Sequence, residues 1–335
     1  MNIVVPMAGM GKRMRPHTLT VPKPLIPIAG KPIVQRLVED IAALCSESID
    51  EIAFIIGDFG DEVETQLLQV AESLGAKGKI CYQEEPLGTA HAILCAGDTL
   101  NGPTIVAFAD TLFRADFKLD TSKDGVLWVK QIPNPQQFGV VVTDDQGNIT
   151  EFVEKPEEFV SDLAMIGIYF FGRGEVLREE CQWLIDNDVI KGGEYQLPDA
   201  LRNMTQKGMS FAPGEVSDWM DCGNKNATVE TNGRILGYIQ DTEETIAKNA
   251  QVENSVVIEP CYIGEGAVIR NSVIGPRVSV GAGTVIENSR LSDAVVQNHS
   301  TVRGAVLENS MVGHHAHFEA KPLQLSISDY STQGK

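Results

Sequence analysis

NIVVPMAGMGKRMRPHTLTVPKPLIPIAGKPIVQRLVEDIAAL (Asn2–Leu44) starts as an apolar run, passes through glycines, cations and prolines, and closes on an amphipathic segment. The first residues read as a buried strand, and PIVQRLVEDIAAL has helical period with a proline suited to the first turn. Further on, EIAFIIG reads as a second strand, and DEVETQLLQVAESLG as a helix with acids early and a glycine at its end. KICYQEE, TAHAILCAGDTL and PTIVAFAD repeat the alternation. The pattern predicts an α/β fold of Rossmann-like type, in which a mostly parallel mixed sheet is covered by helices on both faces.

Beyond about residue 110 the rhythm changes. GVVVT and NITEFVE flank the turn signal DDQG and predict a hairpin; GIYFFG reads as a strand, and EVLREECQWLIDN has helical period. This α/β domain is expected over 1–240, with a junction at 241–250. A different repeat then begins. Asn-Ser pairs stand at 254–255, 271–272 and 288–289, seventeen residues apart. Ile263, Ile269, Ile274, Val280, Ile286 and Leu291 step by 6, 5, 6, 6 and 5 residues, and glycines follow several of them. A six-residue beat with small residues at the corners marks a β-helix, each coil taking three faces. The step resembles that of the hexapeptide-repeat left-handed β-helix, one residue shorter per coil. This element is expected over 251–320, followed by a tail at 321–335. Val256, Val295 and Val306 are candidates for an apolar outer face that would invite assembly into a homo-oligomer.

With 27 Lys+Arg against 46 Asp+Glu the net charge is −19, which argues against non-specific binding to nucleic acid or anionic membrane. The leading apolar run is short and its charges follow it, so it reads as a strand rather than a signal peptide; no apolar segment approaches membrane-spanning length. The six cysteines are scattered, with no CxxC pair and no His/Cys cluster at metal spacing, as expected of reduced thiols in a cytoplasmic protein. Against this acidic background, residues 1–36 hold six basic residues (Lys12, Arg13, Arg15, Lys23, Lys31, Arg36) and no carboxylate. An anionic ligand needs such a local cationic site.

Two phosphate-loop readings of GMGKRMR fail on spacing. A P-loop ending at Gly11-Lys12 would need glycine at Pro6 and Ser/Thr at Arg13, and a dinucleotide fingerprint would need glycine at Met14. The whole stretch resembles instead the signature of the sugar-1-phosphate nucleotidyltransferases, roughly G-x-G-T-R-[LM]-x-P-x-T-x-x-x-P-K-P-[LM]-x-P-x-x-x-K-P. Gly9, Gly11, Arg13, Met14, Pro16, Thr18, Pro22, Lys23, Pro24, Leu25, Pro27, Lys31 and Pro32 fall in register with it. Lys12 departs, standing where threonine is commonest, and adds a cation. The chemistry is coherent: glycines let backbone N–H groups approach a triphosphate, Arg13 can grip phosphate oxygens bidentately, and Lys23 is a compact point charge. Arg15 and Arg36 read equally well as solvated surface charges.

The resemblance continues downstream. QEEPLGTAHAI, from Gln83, resembles the family's nucleobase motif, which implies a base edged by Gln83 and laid against Gly88; LGTA also reads as a helix start capped by Thr89. FADTLF ends a strand with Asp110, and ligands of open α/β sheets sit beyond the carboxyl ends of strands. The family places a Mg²⁺-binding aspartate there and a second in W-x-D-x-G, here Trp219-Met-Asp221-Cys-Gly223. QFGVVVTDDQGNITEFVEKP matches F-G-V…G-x-I-x-x-F-x-E-K-P, which implies that Gly139 and Glu154 meet sugar hydroxyls and Lys155 the sugar phosphate. LAMIGIYFF implies Met165 beside the sugar, and GGEYQLPDAL suggests Glu194 as another sugar or indirect contact. Ala8, Gly9, Gly11 and Lys12 are implied on the nucleotide side.

The reaction so implied joins a nucleoside triphosphate, dTTP or UTP, to a sugar 1-phosphate, glucose 1-phosphate, and releases pyrophosphate. Arg13, Lys23 and Lys155 would neutralise charge while Mg²⁺ sits on Asp110 and Asp221. A GTP-dependent mannose-1-phosphate guanylyltransferase is the neighbouring alternative. A bifunctional enzyme with acyl transfer in the β-helix would draw on His299, His314, His315 or His317. A regulatory homologue that binds sugar nucleotides without turnover would typically lose the loop arginine, metal aspartates or sugar-phosphate lysine, all present here.

Overall fold

The computed structural model describes residues 1–9 and 11–332. By packing, the chain divides into two compact units, one of Met1–Ile26 with Pro32–Gly223, the other of Pro27–Lys31 with the chain from Asn224. The division falls after Gly223 rather than near 240, because the helix Lys225–Ile239 packs against strands of the repeat.

In the first unit, β1 (Asn2–Pro6) runs into the glycine loop; past the short β2 (Pro27–Ile28) and β3 (Lys31–Pro32), which but for Pro32 belong to the second unit, come α1 (Ile33–Leu44), β4 (Glu51–Ile56), α2 (Asp61–Ser73), β5 (Lys77–Tyr82), α3 (Thr89–Leu94) and β6 (Thr104–Ala107). β1 lies between β4 and β6, parallel to both, and β5 is parallel to β4. β1, β4 and β6 are buried almost throughout, which is why they read as unbroken apolar runs. α2 opens with Asp61, Glu62 and Glu64 beside its unsatisfied N–H groups, where negative charge is favourable. Arg36, on α1, is only 4% exposed; it is a buried residue and not the solvated charge its sequence context allows.

The chain then adds β7 (Thr111–Arg114), β8 (Gly125–Gln131), β9 (Gly139–Thr143), β10 (Ile149–Glu154), β11 (Leu163–Phe171), α4 (Gly174–Asp186), α5 (Leu197–Gln206), β12 (Phe211–Glu215) and β13 (Asp218–Asp221). The main sheet has nine strands in the order β5-β4-β1-β6-β11-β8-β12-β10-β9. β11 is antiparallel to both β6 and β8, so the sheet is mixed. β9 and β10 form the hairpin, whose turn is held by Asp144 accepting from the N–H groups of Gln146 (2.9 Å) and Asn148 (2.8 Å). Its register sets Gly139 opposite Glu154. β7 and β13 form a separate antiparallel ribbon with Asp221 opposite Thr111. All six cysteines are free. Among the described residues no helix is long and apolar enough to cross a membrane.

The second unit is a stack of parallel β coils with α6 (Lys225–Ile239) packed on it. Asn224 caps α6, its side chain accepting from the Ala227 N–H (3.1 Å). Val268 pairs with Gln251 and with Val285, steps of seventeen residues. Thr301 then pairs with Val285 and His317 with Thr301, steps of sixteen. The seventeen-residue period therefore holds only for the first coils. Ile263, Ile269, Ile274, Val280, Ile286 and Leu291 all point inward and are fully buried.

The Asn-Ser repeat has a direct cause. Asn254, Asn271 and Asn288 turn the corner with φ of 46°, 48° and 50°, left-handed values that asparagine tolerates better than most residues; Gly304 takes this place in the next coil. Each following serine stitches two coils: Ser272 Oγ donates to Arg270 O (2.7 Å) and accepts from Ser289 N (3.0 Å). Of the outer valines, Val256 and Val306 are exposed, whereas Val295 is 1% exposed on a strand that α6 packs against. Val295 is therefore covered within the unit and offers no surface for assembly.

Candidate active site

A cleft of about 270 Å³ lies beyond the carboxyl ends of β1 and β6, the position open α/β sheets favour for ligands. Ala8, Gly9 and Gly11 line one side, Phe108 to Asp110 another, and Gln83, Gly88 and Glu194 a third. Gly11 has φ +54, and a Cβ there would lie 3.1 Å from both Lys23 Cβ and Thr18 Cγ2. Only glycine lets the loop fold this tightly onto the segment carrying Lys23. Thr18 Oγ1 donates to Gly11 O (2.8 Å) and pins that fold.

Lys23 and Asp110 meet in the cleft, Nζ to Oδ2 at 2.8 Å, with Lys23 12% and Asp110 41% exposed. Cys222 N donates to Asp110 O (2.9 Å), so the ribbon of β7 and β13 brings Asp221 to the same place. Burial pushes the Asp221 carboxyl above its ordinary value; the Gly223 N–H opposes this, the charge of Asp110 adds to it, and Lys23 and Arg13 oppose it. Arg13 Nη2 reaches within 3.3 Å of the point a Gly223 Cβ would occupy, next to the Asp221 carboxylate. Arg13, Lys23, Asp110 and Asp221 are thus one group of charges. Lys12 shares an exposed turn with Arg13 and does not line the cleft.

Two neighbouring carboxylates whose charges oppose one another are a donor set suited to a hard divalent cation. Among the described residues no group of three or more His, Cys, Asp or Glu is arranged to hold a metal, so any further ligands of such an ion would be phosphate oxygens and water.

A second cluster holds Gly139, Glu154 and Met165: a Cβ on Gly139 would fall 2.5 Å from Met165 Cε and 2.8 Å from Glu154 Oε2. Lys155 follows with φ +43, a left-handed value uncommon for a side-chain-bearing residue, and its exposed ammonium lies 3.3 Å from Glu154 Oε1. Neither Lys155 nor Glu154 lines the cleft itself. Tyr169 connects the two regions. Its buried hydroxyl is pushed above the usual range by burial and then by the charge of Glu154, while its ring meets cleft-lining Phe108 edge-on at 6.2 Å. On the other flank Phe138 packs edge-on against Trp219 (4.7 Å), whose Nε1 donates to Thr111 Oγ1 (2.6 Å). That contact ties the hairpin to the ribbon bearing Asp221.

On the third side, Gln83 Nε2 donates to Gly88 O (3.2 Å) and lies 3.1 Å from His91 Nδ1. Gly88 has φ +118, and a Cβ there would strike Tyr195 O at 2.4 Å; the glycine is demanded by the crossing backbone of Tyr195. Thr89 is not a cap. It is the first residue of α3, and its Oγ1 accepts from Leu197 N (2.9 Å).

His91, Phe138 and Tyr169 carry no site signal in the sequence, since each acts through a neighbour that only the fold supplies. Thr18 had one, its register within the opening motif.

The family described as Nucleotidyl transferase matches residues 3–236, and that described as GlmU-like, C-terminal hexapeptide matches 226–307. The low-salt glycan biosynthesis nucleotidyltransferase Agl11 of Haloferax volcanii is 30% identical over 77% of this chain and 71% of its own. The glucose-1-phosphate thymidylyltransferase of Streptomyces griseus is 27% identical over 96% of this chain and 94% of its own. The bifunctional GlmU proteins also matched are longer, the chain spanning 60% of the one from Methanocaldococcus jannaschii. Among solved structures, that of a UDP-glucose pyrophosphorylase complexed with UDP-glucose superposes with a TM-score of 0.58 at 23% identity, over 71% of this chain and 98% of that one, a likeness of fold.

Proposed function

Because this chain belongs to the nucleotidyl transferase family, we propose that it transfers the nucleotidyl group of dTTP or UTP to glucose 1-phosphate, giving the nucleoside diphosphate sugar and pyrophosphate. The observation that carries the reading is the grouping of Arg13, Lys23, Asp110 and Asp221 as neighbouring charges, of which Lys23 and Asp110 line the cleft, with Gly139, Glu154 and Met165 gathered as a second cluster. The Streptomyces griseus thymidylyltransferase supports the choice of base and sugar, because it matches along almost the whole chain, coils included.

The attacking phosphate oxygen of a sugar 1-phosphate already carries charge and needs no general base. What it needs is approach, in line, to an α-phosphorus that is itself surrounded by anionic oxygens. Catalysis then rests on positioning and on charge neutralisation. Arg13 holds the leaving pyrophosphate, its planar fork matching two phosphate oxygens. Lys23 sits between its Asp110 partner and the α-phosphate, so an incoming triphosphate gives its ammonium a second anion. Lys155, exposed and tethered through Glu154, turns to the sugar phosphate, while Glu154 and the Gly139 backbone receive sugar hydroxyls. Gln83, held by Gly88 O and next to His91, presents its amide to the base edge. Mg²⁺ held by Asp110 and Asp221 supplies further neutralisation of the triphosphate when bound. Each such charge contact in a dry site contributes about 3 kcal/mol to the barrier, on the order of a hundredfold in rate.

The test is a panel of dTTP, UTP, GTP, CTP and ATP against glucose, mannose, galactose and amino-sugar 1-phosphates with Mg²⁺, read as pyrophosphate release. Highest turnover with dTTP or UTP and glucose 1-phosphate is expected. Preference for GTP with mannose 1-phosphate would replace that substrate pair, and nucleotide binding without pyrophosphate release on any pair would replace the enzyme by a regulatory sensor. Acetyl-CoA consumption with an amino-sugar phosphate would add acyl transfer in the coils.

A further inference from the structure

Asp199, in the first turn of α5, is 5% exposed and lines no part of the cleft. Its Oδ1 accepts from Lys191 Nζ (2.6 Å) and from Arg202 Nη1. Arg202 in turn donates twice, through Nε (3.2 Å) and Nη2 (2.6 Å), to the backbone carbonyl of Phe152. Phe152 stands two residues before Glu154 on β10. On the other side Lys191 and Glu194 exchange backbone hydrogen bonds (3.0 and 3.1 Å), closing a small loop that holds Glu194 at the cleft. One buried carboxylate therefore grips both arms, the strand end carrying Glu154 and the loop carrying Glu194.

The chemistry of the contact is costly enough to require a reason. A charged carboxylate taken out of water is compensated only while its cationic partners stay, and Asp199 Oδ2 has no hydrogen-bond partner among the described residues. Helix packing alone would be served by an apolar residue. An ionic clasp, by contrast, fixes distance and direction between the two backbones it joins. We infer that Asp199 is a positioning residue that sets the separation of Glu154 and Glu194, so that a sugar phosphate seated between them is received by a preformed pair of arms. The inference rests on the sugar contact proposed above for Glu154 and on the one that the segment GGEYQLPDAL implies for Glu194.

Full-length wild type, Asp199→Asn and Lys191→Met, compared by amide hydrogen exchange and steady-state kinetics, test it. Asp199→Asn is expected to speed exchange about tenfold or more in both 150–155 and 190–196 while β1 and β4 are unchanged; Lys191→Met, whose side chain is more than half exposed, speeds only 190–196. Both variants are expected to raise KM for the sugar 1-phosphate about tenfold and to leave KM for the triphosphate within about twofold. Faster exchange in one segment only of Asp199→Asn, or an equal rise in both KM values, overturns the clasp. Should Asp199→Asn fail to fold, Lys191→Met decides alone, and an unchanged sugar KM overturns it. A wild type without nucleotidyl transfer would overturn the proposed function, while the exchange pattern would still decide the clasp.

Discussion

Lys23 Nζ donates to Asp110 Oδ2 at 2.8 Å, joining two residues 87 positions apart in the chain. The lysine is nearly buried and the aspartate is not. The pair thus holds a cation in place at the cleft while leaving its partner accessible to ligand, the reverse of an arrangement built for stability.

Replacing Lys23 separates these roles. Lys23→Ala is expected to lower kcat about a hundredfold or more, with a small change in Tm, because Asp110 can be solvated once its partner is gone. A large loss of Tm with kcat intact would reassign Lys23 to structure.

Asp221 makes a pH prediction. Its folded carboxyl titrates above the ordinary value of 3.8, so the native state binds the proton more tightly than the unfolded one, and stability falls as pH rises from about 3.8 through the folded value. Asp221→Asn, which removes that burden, is expected to raise Tm at pH 7 and not at pH 3, while lowering turnover about a hundredfold. Melting curves at both pH values with and without Mg²⁺ check this: in wild type the ion should recover the lost stability at pH 7, and in Asp221→Asn it should not.

Gly88→Ala forces a left-handed backbone onto alanine and drives its methyl into Tyr195 O. The expected cost is about 2–4 kcal/mol in denaturant unfolding. A loss of nucleotide affinity should accompany it, because Gln83 is anchored on the Gly88 carbonyl. Unchanged stability would show that the crossing at Tyr195 relaxes freely.

In the coils, Ser272→Ala strips an acceptor from the Ser289 N–H inside a nearly buried corner. A cost of about 1–3 kcal/mol is expected, with pyrophosphate release unaffected. The same substitution at the half-buried Ser255, at the end of the ladder, should cost less.

What could be read from the chain, and what could not, divides along physical lines. The alternation of strands and helices and the inward column from Ile263 to Leu291 are periodic burial signals, and periodicity survives in one dimension. The opening motif was legible because backbone constraint and charge are local: Gly11, Thr18 and Lys23 contact one another within a dozen positions. Coverage by a distant element was not legible. Val295 looks outward by period, but α6 packs against its strand; Arg36 looks solvent-facing in sequence and is buried in the fold. The coil period shortens from seventeen to sixteen at the corner between Leu291, which pairs with Ile274, and Ala294, which pairs with Val278, and Gly304 then takes the corner otherwise held by asparagine, so the seventeen-residue Asn-Ser mark ends while the coils continue. Asp199 was invisible for a related reason. Its partners Lys191 and Arg202 are near in sequence, but the carbonyl that gives Arg202 its purpose belongs to Phe152.

Single-turnover pyrophosphate release, on mixing enzyme with dTTP, glucose 1-phosphate and Mg²⁺, tests the central claim most directly. Release is predicted to require all three, and to slow about a hundredfold in both Arg13→Ala and Lys23→Ala. A wild type that releases pyrophosphate while both variants keep pace within about twofold would contradict it, because the two reactants would then be meeting somewhere other than the cleft these cations build.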